Sequence, residues 1–301
     1  MKIIISGAFG HIGSFLIEKF QKNKKIKSIL LIDNFYTQRF SSYLKLKKNK
    51  IKLIDKDLNN FNLNNIKGKY DLFIHLSAVT NASESFKIKD FVYSNNLGGT
   101  KKVVEFCKKR NLRLIFPSST SVYGKKYEII NSSNNMNNLF AQSPYAKCKI
   151  EEEKYIRRKL KNYVILRLGT IVGVSNGMRF HTAVNKFCYQ SSLNQPLTIW
   201  KKFYKKKRPY LNLRDCYSAI NFVTNKKTLR NETLDVVTEN YTVEEIVKMI
   251  SNKIKVKKKF VNTKILNQNS YEVVSDKLIE HGLKFSENIQ VDINKTLKLF
   301  S

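Results

Sequence analysis

A short apolar run, Ile3-Ile4-Ile5-Ser6, closes on Gly7-Ala8-Phe9-Gly10-His11-Ile12-Gly13, and an amphipathic segment begins at once. This junction constrains the fold more than any other feature of the chain. Lys2–Ser6 has the pattern of a strand covered on both faces. Residues 11–23 carry Ile12, Phe15, Leu16 and Phe20 at helical spacing. Glycines between them permit a sharp turn and let a pyrophosphate approach the backbone, where the helix N-terminus offers free N–H groups and a positive dipole end. The spacing is G-x-x-G-x-x-G, one place wider than G-x-G-x-x-G, and its position in a β-turn-α unit gives it weight. Asp33 ends the next apolar run, about 20 residues past Gly13. A carboxylate there binds both ribose hydroxyls and repels a 2′-phosphate, so NAD is expected over NADP.

The rest of the chain alternates in the same way. Residues 27–33, 51–54, 70–76, 112–116 and Tyr163–Leu168 read as buried strands, and residues 90–110 and 144–161 as long helices. Such alternation predicts an α/β fold with a parallel, doubly wound sheet and right-handed connections. It weakens after Gly173. Residues 179–190 read as a helix, Leu197–Trp200 as a strand, and Val243–Ser251 as a helix opened by Thr242 with Glu244 and Glu245 in its first turn. The division expected is a nucleotide domain over 1–172 and a smaller C-terminal α/β lobe over 173–301, from which some strands return to the first domain. The Asn-rich stretch 131–138 reads as a loop.

Apolar residues make up 42% of the 301, enough to fill a core, and no apolar run is long enough to span a membrane. The four cysteines are spaced for neither a disulfide framework nor a zinc site, and no metal is expected. With the first strand starting at residue 2, a cytoplasmic protein without a leader is expected. A net charge of +33 would suit a nucleic-acid partner, yet 46 of the 56 basic residues are Lys and only 10 are Arg, beside 32 Asn. Nucleic-acid surfaces lean on the bidentate fork of Arg. Scattered Lys with short clusters at 45–52, 201–208 and 253–259 reads as compositional bias, with only nonspecific nucleic-acid binding.

Tyr145-Ala146-Lys147-Cys148-Lys149 is Y-x-x-x-K, which places phenol and ammonium on one helix face. A neighbouring ammonium lowers a phenol's pKa toward that of a working base. Ser118-Ser119-Thr120-Ser121 ends the preceding strand, and a hydroxyl from it would bind the substrate oxygen.

Together these segments resemble the extended short-chain dehydrogenase/reductases, the group of nucleotide-sugar epimerases, dehydratases and decarboxylases. Asp57-Leu58 is similar to the group's adenine-contacting step, His75-Leu76-Ser77-Ala78 to its H-x-A-A element, and Asn96-Leu97-Gly98-Gly99-Thr100 to its N-V-x-G-T helix. Phe116-Pro117-Ser118-Ser119-Thr120-Ser121-Val122-Tyr123-Gly124 resembles the strand bearing the catalytic hydroxyl, which falls on Ser119. The resemblance implies a Rossmann-type fold and a catalytic set of Ser119, Tyr145 and Lys149. It implies NAD contacts from Gly7, Phe9, Gly10, His11, Ile12, Gly13, Asp33, Asp57, Leu58, Leu76, Ser77, Ala78, Asn96, Tyr145 and Lys149. A nucleotide-diphosphate sugar would meet Thr80, Ser119, Thr120, Thr170, Asn185 and Arg208. Arg208 opens a stretch, Arg208 to Asp215, similar to R-x-Y-[IL]-x-V-x-D, whose first Arg contacts the diphosphate.

Departures narrow the reaction. The 4,6-dehydratases place Asp-Glu after the catalytic hydroxyl, where this chain has Thr120-Ser121. The R-x-G-D-like element is replaced by Gln268-Asn269-Ser270-Tyr271, and His181 reads as an isolated structural or surface residue. The implied activity is 4-epimerisation through a 4-keto sugar, with net dehydrogenation or reduction as one alternative and a non-catalytic nucleotide- or nucleic-acid-binding protein as another. A homodimer through the helices that hold Asn96 and Tyr145 is implied as well.

Overall fold

The computed structural model describes residues 1–300 apart from 45, 48, 124–128, 131–138, 263–269, 286 and 287. The expected loop at 131–138 lies outside the described residues, as do Lys45, Lys48, Gln268 and Asn269.

Seven strands form one sheet, in the spatial order Glu232–Val236, Tyr163–Leu168, Arg113–Ser119, Leu72–His75, Lys2–Ser6, Ser28–Asp33, Ile51–Asp55. Every pairing in it is parallel. Side chains alternate across the sheet as strand geometry requires. Ile3, Ile5, Ile29 and Leu31 enter the core on one side, whereas Ile4, Leu30, Ile32 and Phe73 enter the other. Where both faces are buried, as over residues 3–5 and 29–32, the strands are continuous apolar runs, which makes them readable. The chain order reverses between Lys2–Ser6 and Leu72–His75, and the crevice at the carboxyl ends of these two strands is where an open α/β sheet binds ligands.

The segment 90–110, expected as one helix, is three pieces: α-helical Lys89–Val92, a π-helical turn Tyr93–Leu97, and α-helical Gly98–Arg110. The wide turn carries Asn96 inward and buries it fully. Left-handed Asn111 (φ 51°) then ends the helix. The helix expected at 179–190 begins later, at Ala183.

After Leu168 the chain leaves the sheet. Thr170–Val172, Arg208–Asn212 and Glu239–Tyr241 form a small mixed sheet, and Leu197–Trp200 pairs with Lys258–Val261. Helices Ala183–Ser192, Val243–Ser251 and Ile289–Phe300 close a separate core around Val184, Phe187, Ile246, Ile250 and Ile293. Thr242 caps Val243–Ser251 in a full capping box with Glu245. Between these parts the chain goes back: helix Leu213–Asn225 places Cys216 and Ala219 in the main core, and Glu232–Val236 becomes the outermost strand of the main sheet.

Candidate active site

The glycine loop lies against the segment that follows Leu72–His75. Gly7 has φ +67°, and a Cβ on it would lie 2.5 Å from the Ser77 nitrogen, so no other residue fits. A Cβ on Gly13 would lie 2.4 Å from the Ala8 carbonyl oxygen, which is how the helix sits so closely on its strand. Gly10 caps that helix without a side-chain bond, leaving the first N–H groups open to the cleft. The cleft has two adjoining halves, both lined by Gly7, Gly10, Leu76 and Ala78.

One half suits an adenosine. Asp33 holds its walls: one carboxylate oxygen accepts from the Phe9 N–H and the other from the Phe35 N–H, both at 2.9 Å. Burial raises the Asp33 pKa against these two bonds. Asp57 accepts from the Asn34 side chain and the Asn59 N–H, each at 2.7 Å, and Leu58 and Ser77 line the same half. Phe9 contributes a backbone donor, while its ring stacks on Phe35 at 4.8 Å. Asn96 acts at one remove, since its amide brackets Val79, accepting at 2.8 Å and donating at 2.9 Å. It thereby sets the Leu76–Thr80 strand exit. The bare glycine cradle, the uncapped helix and Asp33 fit NAD.

The other half holds the three side chains expected to be catalytic. Ser119 ends Arg113–Ser119, and Tyr145 and Lys149 project from helix Pro144–Lys159, which Ser143 caps at 3.1 Å with Pro144 in the first turn. All three line the cleft beside His11, Ile12 and Thr80, with the Ser119 hydroxyl facing Tyr145. Burial raises the Tyr145 pKa; Lys149, Arg179 and the Ser119 hydroxyl pull it down, and burial prevails. This differs from the simple lowering that Lys149 alone would produce. His11 is held neutral by burial, near 3, with Nε2 2.8 Å from the Gly173 carbonyl oxygen.

Below the site, Arg167 is fully buried and ties four elements together. It donates to both oxygens of Glu153, at 3.0 and 2.6 Å, and to the Tyr123 hydroxyl at 2.8 Å. Ser118 donates to the same Glu153 at 2.6 Å, and Tyr123 lies 2.9 Å from Asp235.

Four expected substrate residues are not among the side chains lining the cleft: Thr120, Thr170, Asn185 and Arg208. Thr120 donates to the Leu168 carbonyl oxygen at 3.3 Å. Asn185 accepts from the Gly173 N–H at 3.4 Å and donates to the Arg179 carbonyl at 3.1 Å, bracing the loop between them. Arg208 lies 5.5 Å over the Tyr271 ring. In their place stand Arg39, Arg179 and His181, which line the cleft and face one another electrostatically. Arg179 donates to the Thr80 hydroxyl at 2.7 Å. Residues 39 and 179 are far apart in sequence, and only the folded chain brings them to one cleft.

The family model of NAD dependent epimerases and dehydratases matches residues 3–236. The chain belongs to that family. Its relatives include an uncharacterized UDP-glucose epimerase of Bacillus subtilis (strain 168), 28% identical over 266 residues, covering 84% of this chain and 82% of the relative. A dTDP-D-glucose 4,6-dehydratase of Dictyostelium discoideum is 29% identical over 253 residues, covering 76% of this chain and 57% of the relative. Among solved structures, UDP-glucuronic acid 4-epimerase from Bacillus cereus, in complex with UDP-glucuronic acid and NAD, superposes with a TM-score of 0.84 at 25% identity, over 100% of this chain and 99% of that one. The NAD complex of UDP-glucose 4-epimerase from Thermus thermophilus shares the fold, with a TM-score of 0.85 at 19% identity over 100% and 99% of the two chains. This family member is an NAD-dependent enzyme on a Rossmann-type sheet.

Proposed function

We propose that this protein is a nucleotide-sugar 4-epimerase. The observation that carries the reading is the convergence of Ser119, Tyr145 and Lys149 in the half of the cleft beyond the glycine loop. Tyr145 takes the proton of the sugar C4 hydroxyl as hydride leaves C4, Ser119 hydrogen-bonds that oxygen, and Lys149 keeps a positive charge beside the phenolate. Bound NAD supplies the hydride acceptor and a second positive charge. Once the keto sugar has turned over, Tyr145 would give the proton back to the C4 oxygen, leaving the opposite configuration at C4 with no net redox change. Thr120-Ser121, with Thr120 bound to the Leu168 carbonyl, offers no acid–base pair for removing water, which sets dehydration aside.

The finer parts of the reading are a homodimer through helices Gly98–Arg110 and Pro144–Lys159, and a cytoplasmic enzyme whose products feed polysaccharide synthesis. The four cysteines are buried and unbridged, which suits a reducing compartment. Incubation with UDP-, GDP- and dTDP-sugars, with product identification and NADH absorbance, tests the activity. A C4 epimer without NADH accumulation is expected. Stoichiometric NADH with a released keto sugar would make the protein a dehydrogenase, and no turnover of any sugar nucleotide would remove the reading.

A further inference from the structure

Beneath Lys149 runs a line of polar side chains that the reaction above does not use. Ser6, His75, Thr100 and Glu152 come from strand Lys2–Ser6, strand Leu72–His75, helix Gly98–Arg110 and helix Pro144–Lys159, and none is more than 2% exposed. Ser6 Oγ lies 2.7 Å from His75 Nδ1, and His75 Nε2 lies 3.1 Å from Thr100 Oγ1. Thr100 Oγ1 lies 2.5 Å from Glu152 Oε1, and Glu152 Oε2 lies 3.1 Å from Lys149 Nζ.

The direction of each bond follows from counting protons. A carboxylate only accepts, so Thr100 commits its single proton to Glu152. Thr100 must then accept from His75, which puts the ring proton on Nε2 and leaves Nδ1 to accept from Ser6. Burial, aided by the Lys149 ammonium, holds His75 near 3, so the ring is neutral with one proton to give. Every donor in the line therefore points toward the Glu152 carboxylate, and its second oxygen is left to Lys149. A buried carboxylate needs such partners, because without them its desolvation is costly.

We propose that Glu152 is a positioning residue for the reaction: its carboxylate, aimed by His75 and Thr100, fixes the Lys149 ammonium at the cleft and sets the field in which Tyr145 ionises. The proposal rests on the assignment of Tyr145 and Lys149 as the reacting pair. Several other groups face this pair. Cys148 shares their helix, His75 approaches from the sheet, the Phe116 ring lies 4.4 Å from Lys149 Nζ, and Arg179 faces Tyr145 from the lobe. Among the described residues, Glu152 is the acid that acts on both members. It holds Lys149 charged above its ordinary range against the burial that lowers it, and its negative charge opposes ionisation of Tyr145. Removing that charge while keeping the shape lowers both pKa values together, so that Tyr145 ionises more readily and Lys149 holds its proton less firmly.

The test is the pH profile of turnover for the wild type, Glu152→Gln and Glu152→Asp, each with NAD and the sugar nucleotide found to turn over. For Glu152→Gln, kcat should fall roughly 10- to 100-fold, the range seen when a residue that orients a functional group is lost. Both limbs of its profile should move toward acid, with KM little changed because Glu152 is sealed from the cleft. Glu152→Asp keeps the charge and should return both limbs to their wild-type positions. Wild-type limbs in the Gln variant, whether kcat holds or falls equally at every pH, would reduce Glu152 to a packing group. Should the Gln variant not fold, Thr100→Val removes the aiming bond and leaves the charge. A lower kcat with unmoved limbs is then expected, and a wild-type kcat overturns the proposal. Failure of the underlying assignment shows separately, as turnover surviving in Tyr145→Phe.

Discussion

A Cβ on Gly177 would lie 2.5 Å from the Gly10 carbonyl oxygen, so the lobe meets the glycine loop backbone to backbone. Ser14 and Ser175 stitch the same seam: the Gly177 N–H donates to Ser14 Oγ at 2.9 Å, and Ser175 Oγ donates to the His11 carbonyl at 2.9 Å. The Phe9 carbonyl oxygen lies 2.4 Å from the same point, and neither it nor that of Gly10 can yield as a side chain would. Gly177→Ala should therefore cost about 1–3 kcal/mol of stability and weaken NAD binding, since the loop must shift to admit the methyl. Thermal melts and NAD titration of the variant check this, and an unchanged dissociation constant would confine the seam to packing.

Tyr145→Phe removes one hydroxyl from a buried ring that Lys149 and Ser119 continue to flank. Turnover should fall by about 10²–10⁴-fold while NAD affinity stays close to wild type. Single-turnover kinetics beside cofactor titration separate the two, and a variant with most of its activity would leave another group as the base.

Asp33 has a double duty that its sequence position does not reveal, because both of its oxygens already hold backbone N–H groups of the cofactor loop and the strand exit. Asn is therefore the informative replacement, since it removes the charge and keeps an acceptor. The preference for NAD over NADP should narrow by about tenfold or more in Asp33→Asn, roughly 1.4 kcal/mol. Dissociation constants for both cofactors give the answer, and an unmoved ratio would locate the discrimination elsewhere.

His11 and His75 set an acid limit on stability. Each ring is neutral in the fold, with its pKa brought from the ordinary 6.5 down to about 3 by burial. Between those values the unfolded chain binds protons that the folded chain refuses, so stability rises with pH across this window. The contribution is complete above about 6.5 and is lost as pH falls toward 3, on the order of 2 kcal/mol for each ring by about pH 5. Urea midpoints measured near neutrality and near pH 5 should differ accordingly, and equal midpoints would mean that the rings take up protons without unfolding.

The sheet was legible because burial on both faces writes strands as unbroken apolar runs; Lys2–Ser6 and Tyr163–Leu168 have the same bounds in sequence and structure. Gly7, Asp33, Tyr145 and Lys149 were legible because turn geometry and helical spacing are local. What the residues alone concealed is what depends on contact between distant segments. The π turn at Tyr93–Leu97 has no composition of its own and exists to bring Asn96 to Val79. Arg39 and Arg179 become neighbours only when the lobe closes on the loop, and Asn185 is spent bracing Gly173. His181, read as isolated, lines the cleft.

Light scattering at micromolar concentration should find a two-fold dimer. The outer faces of Gly98–Arg110 and Pro144–Lys159 carry exposed Lys101, Glu105, Glu151 and Lys154, so the association should weaken with added salt if these charges pair across it. A monomer at every salt concentration would exclude the arrangement.

The late return of Glu232–Val236 to the main sheet has a consequence for the newborn chain. Tyr163–Leu168 is buried along its whole length in the finished protein, yet its outer edge stays unpaired until the whole intervening stretch, including part of the lobe, has been made. At roughly 5–20 residues per second that interval lasts on the order of seconds. For that time the newborn chain carries an unpaired strand edge of the kind that recruits other chains. Yield of native protein should thus depend on how quickly translation passes through residues 170–231, and slow codons there would favour aggregation over completion of the sheet.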